Sequence, residues 1–318
     1  MSRLPPELER EIFLLAAIAD PIRAPRLLLV AQRVKIWLEP IIYRSVVVRA
    51  NHYTRDTPIT VDIAFVSWSI PAFTFDDLRE ILTRKPSLSS TVRNVLVFEG
   101  HPDDVGWLFR TCTEISEMMY LSRAVTYHHL FQLAPGSLRR LRGNIHCLFG
   151  NNVHGHMHLH SSLVNLTHLE IQDNAGASPL SDILLSVLCL PAITHISLWV
   201  LKAERMAAQI APHAQTIVDA LAPTGPLHVF ALVQSFNRLG EIAVDHGFTL
   251  PDALKSHYRF VLWPGDIHDA TTNWRNGARM EGDFWDHLDR CVDFQWRSYY
   301  WRAKKREEEE DLNSASDV

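Results

Sequence analysis

The feature that most limits what this chain can fold into is a short apolar frame that recurs along its middle. Written φ-x-x-φ-x-φ, with φ apolar, it occurs at Val92/Val95/Val97 and Ile115/Met118/Tyr120. It weakens at Leu138/Leu141, where Gly143 holds the third place, and returns at Leu166/Leu169/Ile171, Ile193/Ile196/Leu198 and Leu227/Phe230/Leu232. Successive starts, from Val92 through Ile115, Leu138, Leu166 and Ile193 to Leu227, are about two to three dozen places apart. The last two apolar places of each frame fall on alternate positions, the period of a strand whose alternate side chains share one face. The intervals leave room for a helix that carries the chain back, at Asp103 to Cys112, Ser181 to Leu190, and Glu204 to Leu221 with Met206, Ile210, Ile217 and Val218. One unit of this size cannot bury its own apolar edge, so units must stack into a continuous core.

Most of these steps match the period of leucine-rich repeats, each a short strand with a returning helix or turn. The asparagine expected three places after the last apolar residue occurs once, as Asn174, so the repeats are degenerate. The expected fold class is therefore α/β: a degenerate leucine-rich-repeat solenoid over residues 91–235, a curved parallel sheet with helices on its outer side. Residues 49–90 read as a connector with a helix at Phe75 to Arg84 and the first solenoid layer. Early acids Asp76 and Asp77 suit that helix start better than they suit a general acid–base pair. Residues 236–303 read as a C-terminal cap. It holds a helix at Arg238 to His246, a strand at Tyr258 to Trp263 and a last helix from Asp283 carrying Phe284, Leu288, Val292 and Trp296. Residues 304–318, with five consecutive acids, read as a disordered tail.

Residues 1–48 are expected to be helical, then a strand. Leu4, Leu8, Ile12 and Phe13 recur at helical steps; a second amphipathic run holds Leu28, Val30, Val34 and Trp37 and stops at Glu39-Pro40; Ile41 to Val48 is β-branched and aromatic. The segments LPPELEREIF, LLLVAQRVKIWLEP and IIYRSVVV together resemble the F-box-like proteins abundant in fungi. That resemblance implies docking on a Skp-family adaptor of a cullin–RING ubiquitin ligase, with the repeats holding a protein substrate. Carried over by position, Leu4, Pro5, Leu8, Ile12 and Phe13 would lie at or beneath the adaptor surface, while Leu28, Val30 and Trp37 would pack the module. The segment between the two halves departs from the family pattern, being short, with Asp20-Pro21 and Pro25 in place of a leucine-rich run. A plain helical cap on the first repeat is the simpler alternative for this module.

A net charge of −5 on 318 residues gives no bulk attraction to nucleic acid or to an acidic membrane. No apolar run approaches the length that a membrane-spanning helix needs, so none is expected. Cys112, Cys147, Cys189 and Cys291 are far apart with no CxxC pair, which points to reduced, mostly buried thiols and to cytosol or nucleus. Lys304-Lys305-Arg306 is a weak signal for nuclear entry.

Two residue sets invite a functional reading. His154, His156, His158 and His160 alternate, so in an extended segment four imidazoles could share one face and one ion, as zinc, copper or nickel ligands. The other reading is a solvated loop, because no carboxylate lies in the run to orient its members. No GxSxG elbow, Walker loop, GxGxxG or HExxH motif occurs, so no enzyme activity and no cofactor are expected. A metal-dependent enzyme built on the histidine run stays as the remote alternative. The second set flanks the middle apolar place of each repeat strand and should line the concave face. Glu117, Arg140, Arg142, His168, Glu170 and His195 form its polar centre and are the expected contacts for a protein partner. A repeat scaffold that binds proteins without any ligase fits the same residues.

Overall fold

In the computed structural model the described residues are 4–19, 24–50, 72–121, 135–144, 163–173, 180–200, 208, 210–235, 250–265 and 284–298. Three helices come first: α1 (Pro6–Ala19), α2 (Ala24–Leu27) and α3 (Gln32–Ile42). Helix α3 runs past Pro40, where the sequence suggested a stop. Pro40 is exposed, so the carbonyl its missing N–H leaves without a donor faces solvent, which softens the cost. Ala17, Ala24, Val34 and Leu38 form a small core of their own, packed with Phe13, Leu14, Leu28 and Trp37.

The rest is one nine-stranded parallel sheet among the described residues, in the order β2-β1-β3-β4-β5-β6-β7-β8-β9. Its strands are β1 (Ser45–Arg49), β2 (Ala72–Thr74), β3 (Asn94–Phe98), β4 (Glu117–Leu121) and β5 (Arg140–Asn144). They continue with β6 (His168–Asp173), β7 (His195–Val200), β8 (Val229–Ser235) and β9 (Phe260–Gly265). From β3 on, each strand pairs with its successor in sequence. The recurring frame is the register itself: Val95, Met118, Leu141, Leu169, Ile196 and Phe230 are successive partners, as are Val97, Tyr120, Gly143, Ile171, Leu198 and Leu232. The first apolar place, just ahead of each strand, is sealed as well: Val92, Ile115, Leu138, Leu166, Ile193 and Leu227 are all buried.

The ladder extends beyond the recurring frame by two strands, β1 and β2, at one end and by β9 at the other. Val46 and Val48 on β1 align with Val95 and Val97, and Phe260 and Leu262 on β9 align with Phe230 and Leu232. The frame is obscured at β9 because its first place holds His257. The expected boundary at residue 48 therefore falls inside a sheet strand, and the end of the N-terminal module is built into the sheet.

A backbone stitch repeats with the frame. The amides of Ser116 and Glu117 both donate to the Arg93 carbonyl, and those of Arg139 and Arg140 to Ser116. The amides of Thr167 and His168 donate to Arg139, those of Thr194 and His195 to Thr167, and those of His228 and Val229 to Thr194, all at 2.7 to 3.1 Å. One carbonyl thus holds two donors of the next unit, which fixes register at the entry of each strand.

Helices α4 (Phe75–Arg84), α5 (Pro102–Thr111), α6 (Leu180–Leu188), α7 (Ala214–Leu221) and α8 (Asp252–Lys255) cover the frame-bearing face. Phe75, Leu78, Val105, Leu108, Ile183, Val187, Ile217, Leu221 and Leu254 join the strand residues in one continuous core. Local chemistry sets the helix starts. Thr74 Oγ1 accepts from the Asp77 amide at 3.1 Å and Asp77 returns a carboxylate to the Thr74 amide at 3.2 Å, a capping box. Asp76 and Asp77 act there as helix-start acids, as expected. Helix α5 opens with Pro102 behind His101. Arg79 bridges the two helices through Asp104 at 2.7 Å and lies over the Trp107 ring.

A last helix, α9 (residues 284–298), sits on the opposite face of the sheet. Phe284, Trp285, Leu288 and Val292 pack against Trp199, Val229, Ala231, Val233 and Val261. It lies across strands β7 to β9, whereas the sequence suggested a cap on the open end. Its apolar stripe matches the small and branched side chains that those strands turn to that face. Among the described residues no helix is long and apolar enough to cross a membrane. The expected helix at Arg238 to His246, residues 304–318 and Lys304-Lys305-Arg306 lie outside the described residues.

Leu169 is fully buried in the middle of the ladder. Leu169→Ala should cost about 2–5 kcal/mol in urea unfolding, through lost burial and the cavity left behind.

Candidate functional site

Two surfaces carry the residues singled out from the sequence. The first is the outer side of α1. This helix has two apolar faces. Phe13, Leu14 and Ala17 turn inward to the module core. Leu8, Ile12 and Leu15, spaced by four and three places, point to solvent at 54%, 52% and 58% exposure, and Leu4 precedes them at 57%. A helix that only covered a core would carry polar residues there. Pro5 is exposed beside Leu4. Phe13 sits beneath this surface, half-buried.

The module exposes further apolar side chains that the sequence did not mark. Ile18, Leu29 and Ile36 are also exposed. Val30, expected to pack the module, is 60% exposed, because the chain turns out of α2 before it. Leu28 and Trp37 do pack inward. Arg33 reaches Glu9 at 2.6 Å and ties α3 to α1 beside the patch. Lys85 pairs with Glu39 and ties the module to the first helix–strand unit.

The second surface is the face of the sheet opposite helices α4 to α8. Register places Glu117, Arg140, His168 and His195 on one rung, and Met119, Arg142, Glu170 and Ser197 on the next. The six expected partner contacts are thus brought together. They are not, however, an open charged surface. Arg142, Glu170 and His195 are buried at 8%, 3% and 7% exposure, and Glu117, Arg140 and His168 are half-buried. The expectation of an accessible polar centre needs correction for the first three. Alternation along a strand says which face a side chain takes, and it is silent on what covers that face.

Here the cover over the β6–β7 end is α9. His195 Nε2 meets Asp289 Oδ1 at 3.0 Å, and Trp285 stands edge-on to both His168 and His195. Beside them Arg142 Nη2 lies 2.6 Å from Glu170 Oε1, and its guanidinium rests over the Trp199 ring at 5.2 Å. Burial pushes the Glu170 carboxyl well above the usual carboxylate range, opposed by Arg142 and by a hydrogen bond from Gln172. Burial likewise lowers the Arg142 pKa, opposed by Glu170 and Glu117. Such a pair specifies an arrangement more than it adds stability, since desolvation offsets most of the attraction.

Among the described residues no group of three His, Cys, Asp or Glu side chains is placed to hold a metal ion. His154, His156, His158 and His160 lie outside the described residues. Cys112 is buried and its pKa is pushed up to about 12 by burial, so the thiol stays protonated. Cys189, expected to be buried, is exposed just past the end of α6.

Two consequences can be measured. Arg142→Met, which leaves Glu170 buried without its counter-charge, should destabilise the chain by about 3–5 kcal/mol in urea unfolding. Glu170 also gives a pH signature. Its folded pKa is raised, so its contribution is fullest below the unfolded value and is lost as pH rises toward about 7. Wild type should therefore lose stability relative to Glu170→Gln between pH 5 and 7, by at most about 1.4 kcal/mol per pH unit. Equal slopes for the two proteins would remove this account of the pair. No protein-family model, curated protein or solved structure matches this chain.

Proposed function

We propose that the chain is a non-enzymatic F-box-like subunit that recruits a protein substrate to a cullin–RING ubiquitin ligase, with its sheet and helices forming a degenerate leucine-rich-repeat solenoid. The observation that carries this reading is the second apolar face of α1. Leu4, Leu8, Ile12 and Leu15 are all more than half exposed, although the module already has a complete small core without them. A surface of that kind is typical of an interaction site. Leu4, Leu8 and Ile12 are also among the residues that the F-box resemblance assigns to the Skp-family adaptor.

Helix α1 would be the adaptor-facing element, with Leu4, Pro5, Leu8 and Ile12 in the contact and Phe13 supporting it from beneath. The tie between Glu39 and Lys85, and the direct run from α3 into β1, would hold the docked adaptor at a fixed angle to the sheet. The mechanism is proximity. One end holds the ligase, the sheet end holds the substrate, and the ligase's partner enzyme transfers ubiquitin. On the sheet, the half-buried Glu117 and Arg140 are the polar residues of the expected set that keep a surface for a substrate, while His168 lies against Trp285 of α9.

Binding of purified Skp-family adaptor tests this reading directly. Leu8→Ala/Ile12→Ala should weaken binding at least about tenfold, as truncation of central apolar anchors does. Its unfolding midpoint should stay near that of wild type, because both side chains already face solvent. Folded wild type that binds no adaptor would leave a repeat scaffold that binds proteins without a ligase, with α1 as its cap.

A further inference from the structure

His168 and His195 occupy neighbouring places on β6 and β7, and their rings stack at 4.1 Å with only 10° between the planes. Each ring is fixed by the threonine before it. Thr167 Oγ1 lies 2.7 Å from His168 Nδ1, and Thr194 Oγ1 lies 2.7 Å from His195 Nδ1. The outer edge of the pair belongs to α9, through Asp289 on His195 Nε2 and Trp285 edge-on to both rings. The imidazole stack is therefore a polar seam beside the apolar face that α9 lays on the sheet.

His195 donates Nε2–H to Asp289, while the single Thr194 hydroxyl proton serves either Nδ1 or the Thr167 carbonyl. A proton on His168 would sit among basic groups. Arg140 is its partner on β5, His195 is stacked on it from β7, and His228 stands 5.7 Å beyond His195 at the entry to β8. Glu117 lies one strand further, paired in register with Arg140. From α9 the carboxylate at the stack is Asp289, already engaged by His195. Burial, then His195 and then Arg140 hold the His168 pKa down, to about 2. Lifting the helix off the sheet relieves the burial, the largest of these causes, while His195 and Arg140 stay beside the ring.

We propose that α9 is a pH-gated cover on this face of the sheet, released when His168 takes up a proton. The sign follows from linkage. A histidine whose folded pKa is lowered contributes stability fully present above its unfolded value, about 6.5, and progressively lost as pH falls below it. The covered state loses ground by up to about tenfold per pH unit below that point. Release uncovers His195 and the apolar side chains of β7 to β9, the part of the face that α9 denies to a partner at neutral pH.

Hydrogen exchange on the full chain at pH 7.5 and 5.0, corrected for intrinsic exchange at each pH, tests the cover. Amides of residues 284–298 should lose at least about tenfold in protection at pH 5.0, while those of β3 and β4 keep theirs. His168→Gln, which keeps a neutral hydrogen-bonding side chain beside Thr167, should abolish that difference. Asp289→Asn leaves both rings in place and, with the counter-charge gone, should shift the loss to higher pH. Equal protection of α9 at the two pH values would overturn the proposal. So would a joint loss across helix and strands, or a midpoint unmoved by Asp289→Asn.

Discussion

The carbonyl that accepts two amides from the next unit is the interaction on which the rest of this structure depends. It recurs at Arg93, Ser116, Arg139, Thr167 and Thr194, always one residue before a strand. Because it fixes where each strand starts, the apolar places that follow arrive in register without further instruction. Threonine side chains reinforce it at two joints, where Thr167 Oγ1 donates to the Arg139 carbonyl and Thr194 Oγ1 to the Thr167 carbonyl. A slip of one residue would turn Leu169 and Ile171 away from the core and bring Glu170 into it, which the apolar helix face could not tolerate.

The two faces of the sheet solve different problems. On one, apolar rungs meet apolar helices, and the solution is close packing. On the other, the middle strands turn Arg142, Glu170, Gln172, His195 and Ser197 to the same side, and these are buried. Buried polar groups demand partners, so this face has little freedom in arrangement. That requirement explains why α9 carries Asp289 within an otherwise apolar contact surface, and why a stacked histidine pair survives in the interior.

The N-terminal module is joined to this body and yet energetically distinct. Its core of Ala17, Ala24, Val34 and Leu38 is separate from the main one, and small. It depends on α3 running into β1 and on the Glu39–Lys85 pair for its orientation. An apolar outer face on so small a module is costly to solubility, which is the physical reason for reading it as an interface.

Much of the fold was legible in the sequence. The spacing of Val95 and Val97, Met118 and Tyr120, and their successors determined strands, face and stacking order, because alternation within a frame that itself recurs along the chain leaves few other solutions. The helix at Phe75–Arg84 was readable from its acids and the proline beyond it. Leu4, Leu8 and Ile12 were readable as one helical face, though their exposure was not. What only the tertiary structure decided was coverage. Residues 284–298 were legible as an apolar helix, but their seat was set by complementary shape on β7 to β9, which brings Asp289 to His195 from far along the chain. The meeting of Arg142 with Glu170 and the stacking of His168 on His195 follow from neighbouring strands in register. Periodicity along one chain encodes which way a side chain points; only the folded neighbours determine what it meets.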